Sequence, residues 1–168
     1  GSLVEQINRF HGPDGPQDGR DYFDYNRGVV GLSRFDIDGG RYWFDYDPPL
    51  SWSKVPLRAG NNWTWTGVRT FECRVSQECE PEMPSRATVR YEVGAMEPLQ
   101  TAVGTLNTFP LHMEWTDVDQ ARPSIVQTTW FLAESPMVMV HREQKFQTEP
   151  GEFVEGTWFL MSIENPPD

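Results

Sequence analysis

The sequence predicts an all-β protein: a single domain of about eight to ten mostly antiparallel strands, forming a curved sheet, half-barrel or sandwich, with at most one short N-terminal helix. Three observations carry that expectation. The 168 residues include 7 Trp, 10 Phe and 5 Tyr, side chains that suit a pleated, half-buried surface. Apolar and polar residues alternate with a period of two along much of the chain. Clusters of Gly, Pro and Asp punctuate the alternating runs. A chain of this length buries about two-thirds of its unfolded surface, enough for a real core.

Residues 3–10, "LVEQINRF", place Leu3, Ile7 and Phe10 at helical spacing and predict a short helix. "HGPDGPQDGRD" follows as a loop, so residues 1–26 are expected as a helix-and-loop extension and residues 27–165 as the β core. "GVVGLSRFDI" and "RYWFDY" are strands joined at Asp38-Gly39-Gly40, which tolerates the positive φ of a tight hairpin. Tyr42, Phe44 and Tyr46 share one face, and "DPPL" is expected to break the strand because Pro cannot donate to a ladder. From Asn62 the alternation is clearest: Trp63, Trp65, Phe71 and Cys73 on one side, Thr64, Thr66, Thr70 and Glu72 on the other. "QECEPEMPS" reads as a turn. Ala87, Val89, Tyr91, Val93 and Ala95 then alternate against Thr88, Arg90 and Glu92, completing a long hairpin. "LQTAVGTLNTFPLHMEW" predicts strand, Gly turn and strand, with Phe109, Leu111, Met113 and Trp115 on one face. Pro110 there suggests an edge or a bulge. "IVQTTWFLA" carries apolar residues on both faces and is expected to be central. "MVMVHREQKF" and "GTWFLMSI" supply two more strands.

The formal charge is −11, with no basic run, which argues against nucleic acid and anionic membrane surfaces as partners. No apolar stretch approaches the ~18 residues of a membrane span, so no transmembrane segment is expected. Cys73 and Cys79 are the two cysteines, too few for a structural zinc site on their own. They predict a disulfide worth ~2 kcal/mol by chain entropy, and with it an oxidising compartment. The opening Gly1-Ser2 has the look of a cloning remnant, so an upstream segment such as a signal peptide is expected.

Four stretches, taken in order, carry a resemblance. They are "DPPLSWSKVPLRAGNNWTWTG", "VRYEVGAMEPLQTAVGTLNTFPLHMEW", "QTTWFLAESPMVMVHRE" and the closing apolar strand, covering about residues 47–145. Together they resemble a bacterial envelope family defined as a domain of unknown function, with the pattern P-L-x-x-G-x-x-W-x-W-x-G, V-P-A-G-T-F-x-T, T-x-W-x-A and G-x-V-K. Here "TAVGTLNTF" stands for the second motif and "PMVMVHRE" for the last. The resemblance implies an antiparallel sheet and a secreted, periplasmic or lipid-anchored location. It implies no reaction and no catalytic residue.

The residues that could carry chemistry are few. His11 lies in the predicted loop and His112 and His141 on strands, where a hydrogen-bonded or solvated imidazole is the ordinary outcome. No G-x-S-x-G elbow supports a serine nucleophile, Ser135 included. Asp18, Asp21, Asp24, Asp36 and Asp38 stand near glycines, and Asp36 and Asp38 are weak calcium candidates; the full D-x-[DN]-x-[DN]-G loop is missing. Asn62-Trp63-Thr64 matches an N-glycosylation sequon with an aromatic that should point inward. No catalytic residue, metal site or cofactor is expected.

The large apolar side chains are the remaining constellation. Trp63, Trp65, Tyr91, Met113, Trp115 and Trp130, with Phe71 and Phe109 nearby, form either a packed core or the wall of a cavity for a lipid or other hydrophobic ligand. Met137 and Met139 would supply an adaptable rim. The resulting expectation is a non-enzymatic envelope or secreted β-domain that binds a hydrophobic ligand. The alternative is an interaction module that meets an envelope protein through strand edges or the acidic residues 11–26. A hydrolase is the third reading.

Overall fold

The computed structural model describes residues 2–12, 15–26, 29–37, 41–74, 84–118, 123–149 and 152–159. Among them are eleven strands: β1 (Ser2–Gly12), β2 (Gly15–Asn26), β3 (Val29–Ile37), β4 (Tyr42–Lys54), β5 (Asn62–Cys73), β6 (Ser85–Val93), β7 (Glu97–Thr101), β8 (Gly104–Asp117), β9 (Ile125–Leu132), β10 (Ser135–Glu149) and β11 (Glu152–Phe159). The hydrogen-bonded order is β1-β2-β3-β4-β5-β6-β8-β9-β10-β11, with β7 paired to β8. The fold is all-β, and the ladders with a recorded register are antiparallel. No helix among the described residues is long and apolar enough to cross a membrane.

Residues 3–10 are not a helix, and residues 15–26 are not a loop. They lie in β1 and β2, which pair from Ser2↔Tyr25 to Gly12↔Gly15. The physical reason is length. A helix of this size is marginal in water, below the ~12–15 residues an isolated helix needs, whereas the hairpin satisfies the same backbone groups through a ladder. Pro16 is tolerated as the second residue of β2, near the strand's start.

Contacts divide the chain into two compact units. The first contains Gly1–Val55, Thr64–Val89 and Asp117–Asp119, and the second Pro56–Trp63, Arg90–Thr116 and Gln120–Asp168. In the first, Phe23, Leu32 and Leu50 stand opposite one another on β2, β3 and β4 and are all buried. Past Leu32 the register slips at Ser33, whose hydroxyl donates to the Tyr22 carbonyl at 2.9 Å. Arg34 therefore leaves the face opposite to that of Leu32. There its guanidinium clasps Asp45 at 2.8 and 3.0 Å and lies 5.1 Å above the Trp43 ring. The Trp43 indole donates to the same carboxylate. That bond to Asp45 raises the Arg34 pKa above its ordinary value.

"DPPL" does not end its strand. β4 runs on to Lys54, and residues 46–49 are left out of the ladder between Asp45↔Arg34 and Leu50↔Leu32. Pro48 and Pro49 are exposed in this bulge, where a missing N–H costs nothing. The bulge gives the W-x-W-x-G motif its form. The Trp65 indole lies over Gly67, two residues on, and donates to the Pro48 carbonyl at 3.0 Å. A Cβ on Gly67 would stand 2.3 Å from Trp65 Cζ2 and 2.7 Å from the Asp47 carbonyl oxygen.

In the second unit, Gly60 and Asn61 clamp Val93 through backbone bonds of 2.8 and 2.9 Å. β8 lies between β6 and β9 in the hydrogen-bonded order, so Pro110 marks neither a sheet edge nor a shift in the β8–β9 register. It falls instead between two partners of β8. Gly94 donates to its carbonyl just beyond the end of β6, and the β7 ladder begins at Thr108↔Glu97. Gly94 belongs there because a Cβ would meet Pro110 Cγ at 2.7 Å.

Candidate functional site

The second unit places four of the six aromatic and Met candidates on one buried surface. The bond from Gly94 N to Pro110 O sets Val93 opposite Leu111 and Tyr91 opposite Met113. Trp115 follows on the same side of β8, and all of these are buried. Trp63 closes the group by stacking on Tyr91, with ring centres 5.0 Å apart and planes at 15°.

Trp65 and Trp130 do not join them. Trp65 alternates with Trp63 as expected and is 3 % exposed, but it packs within the first unit, edge-on to Tyr46 at 6.3 Å. Trp130 leaves the other face of β9, since Pro110↔Trp130 alternates with Leu111↔Thr129 and Phe109↔Phe131. There its indole donates to Glu97 at 2.6 Å, and its ring meets His141 at 4.9 Å. Counting by twos could not assign β9, because both of its faces carry apolar residues.

The same register brings in residues that the alternation did not single out. Gln127 stands opposite Met113 and Thr129 opposite Leu111. They are 5 % and 1 % exposed, and the Gln127 amide donates to the Thr129 hydroxyl at 2.8 Å. Burying such groups is costly without a hydrogen bond, which each here supplies to the other. One strand further, Gln144 stands opposite Gln127 and Arg142 opposite Thr129. The face thus changes character across the sheet, from Trp63, Tyr91, Met113 and Trp115 to Gln127, Thr129, Gln144 and half-buried Arg142.

Arg142 reaches this face through a bulge. Met139 pairs with Phe131 and His141 with Trp130, so Val140 is an extra residue in β10. Were Val140 itself paired with Trp130, His141 would stand opposite Thr129 and Arg142 would point away. The bulge exchanges an imidazole for a guanidinium, the kind of re-aiming that bulges perform beside functional sites. Met139 shares the face with Phe131; the side chain of Met137 lies outside the described residues.

Both strand histidines lie on the opposite face. His141 donates from Nε2 to Glu143 at 3.1 Å, and His112 Nδ1 lies 3.0 Å from the Thr128 hydroxyl. Asp36 is buried, with the Tyr22 hydroxyl at 3.5 Å. Asp38, Cys79 and the side chains of His11, Asp18, Asp21 and Asp24 lie outside the described residues. Among the described residues no group of three or more His, Cys, Asp or Glu side chains could hold a metal ion. Asn62 is exposed, and Trp63 beside it is buried.

From Trp63 and Tyr91 to Gln144 and Arg142, this face offers rings, a thioether, amides, a hydroxyl and a guanidinium. None ordinarily titrates near neutrality. Such a set can bind and orient a molecule. No family model, curated protein or solved structure matches the chain.

Proposed function

We propose that this is a non-enzymatic β-domain of the bacterial envelope that sequesters a hydrophobic ligand against Trp63, Tyr91, Met113 and Trp115. One observation carries the reading: a buried sheet face passes in register from four large apolar side chains to a hydrogen-bonded Gln127–Thr129 pair. Ligand sites are typically apolar walls with a few fixed polar groups that set orientation. Burial would supply the affinity, at about 25 cal/mol per Å² of apolar surface removed from water. The adaptable thioether of Met113 suits chains of varied shape.

The envelope location rests on the resemblance of residues 47–145 and on the proposed Cys73–Cys79 bond. Cys73, the last residue of β5, carries no free thiol, which supports that bond. Native mass spectrometry of protein purified without detergent, with solvent extraction of the same sample, tests the binding reading. A lipid adduct that organic solvent removes is expected. Protein at its bare chain mass, with no change in Trp fluorescence when laurate or methyl laurate is added, would overturn the proposal.

A further inference from the structure

We infer that the ligand carries an uncharged head that both donates and accepts hydrogen bonds, as an alcohol or a carboxamide does, and that Gln127 and Thr129 read it. The inference rests on the binding face proposed above and adds the class of ligand. Three observations carry it. Gln127 and Thr129 stand opposite Met113 and Leu111, so the pair adjoins the apolar wall. Their side chains are 5 % and 1 % exposed and joined at 2.8 Å. Among the described residues neither makes a further side-chain hydrogen bond.

A Gln amide has two N–H donors and an oxygen that accepts twice; a Thr hydroxyl has one donor and two lone pairs. The bond between them uses one donor and one acceptor. Whichever way the amide is turned, an N–H and an oxygen lone pair are left side by side. Both belong to side chains withdrawn from water, where a polar group without a partner is costly. An alcohol or a carboxamide meets both at once. An ester or a carboxylate can only accept, and leaves the oxygen lone pairs of the pair unmet. The carboxylate would also give up the hydration of a full charge. Two charged side chains aligned with this face do not alter that balance. Asp117, two residues past Trp115 on β8, and Arg142 on β10 are opposite in sign, and each already interacts within the protein.

Titration calorimetry with dodecanol, methyl laurate and laurate at about pH 8, where the acid is ionised, tests this. The proteins compared are the wild type, the Gln127→Met, Thr129→Val double variant, and Thr129→Ser. Dodecanol should bind the wild type about 5- to 100-fold more tightly than the ester or the acid, the effect of one unmet polar group. The double variant replaces both partners by apolar groups of similar shape, and the ratio of dodecanol to ester affinity should fall there by about fivefold or more. Thr129→Ser, which keeps the hydroxyl, should retain the ratio within about twofold. A ratio unchanged in the double variant, or equal binding of alcohol and ester by the wild type, overturns the inference but leaves the hydrophobic-ligand reading standing. Tighter binding of laurate than of dodecanol overturns it in favour of a charged head. Binding of none of the three removes both readings. The wild-type order of affinities needs no variant, so a poorly folded double variant would not blunt the test.

Discussion

Replacing Gly67 with Ala is the sharpest single probe of this fold, because it adds one methyl group to a place already occupied. The new Cβ would stand 2.3 Å from Trp65 Cζ2 and 2.7 Å from the Asp47 carbonyl oxygen, distances that real Cβ atoms do not tolerate. The indole cannot simply swing aside. It is 3 % exposed, and its Nε1 is held by the Pro48 carbonyl. Overpacking of this kind costs about 1–3 kcal/mol, and losing the indole bond about 1 kcal/mol more. Against that, Ala stiffens the unfolded chain by about 0.5 kcal/mol. The net expectation is a loss of about 2–3 kcal/mol, or ~5–10 °C in Tm for a chain of this size. Urea melts followed by Trp fluorescence and by far-UV circular dichroism would measure it. The decisive arm is a double-mutant cycle with Trp65→Phe, whose ring lacks the Cζ2–Cη2 edge. In that background the Gly67→Ala penalty should shrink by about 1 kcal/mol or more, with the Asp47 contact left as the remainder. If Gly67→Ala is neutral, or if the two substitutions are strictly additive, the packing account of W-x-W-x-G is wrong.

Four further outcomes follow from the same geometry. Trp130→Ala should leave laurate affinity within about twofold of wild type by calorimetry, because Trp130 faces away from Met113 and Trp115; a tenfold loss would show that the face assignment fails. Gly94→Ala should cost about 1–2 kcal/mol in urea melts by pressing on Pro110 Cγ, and most of that should return in the Gly94→Ala, Pro110→Ala double variant. Asp45→Ala should lower stability by no more than about 1 kcal/mol, since Arg34 and Asp45 are 43 % and 40 % exposed, and the effect should diminish in high salt. Thiol titration of unfolded, unreduced protein should find no reactive cysteine, and two after reduction; two before reduction would remove the Cys73–Cys79 bond and the argument for an oxidising compartment.

The strands with strict alternation were legible in the sequence. Ala87, Val89, Tyr91 and Val93 are buried on β6, and Leu111, Met113 and Trp115 on β8, as a period of two requires. A polar face of Thr64 and Thr66 against buried Trp63 and Trp65 was equally plain. The N-terminal hairpin was not, because three apolar residues at helical spacing and a run of Gly and Pro describe local preference. The pairing of β1 with β2 is a tertiary fact that overrides it. Gly67 and Gly94 were visible as letters of a pattern but not as spaces filled by Trp65 and Pro110.

What composition and period cannot reveal is a residue that is counted but not paired. Ser33 and Val140 are such residues, and each reverses which face its successors occupy. Counted by twos, "MVMVHREQKF" groups Met139 with His141 and Glu143 and sends Arg142 to the opposite side. With Val140 outside the ladder, Met139 instead lies on the face of Arg142 and Gln144. The candidate site is therefore half legible: its apolar wall follows from alternation on β6 and β8, and the placing of Arg142 follows from a bulge.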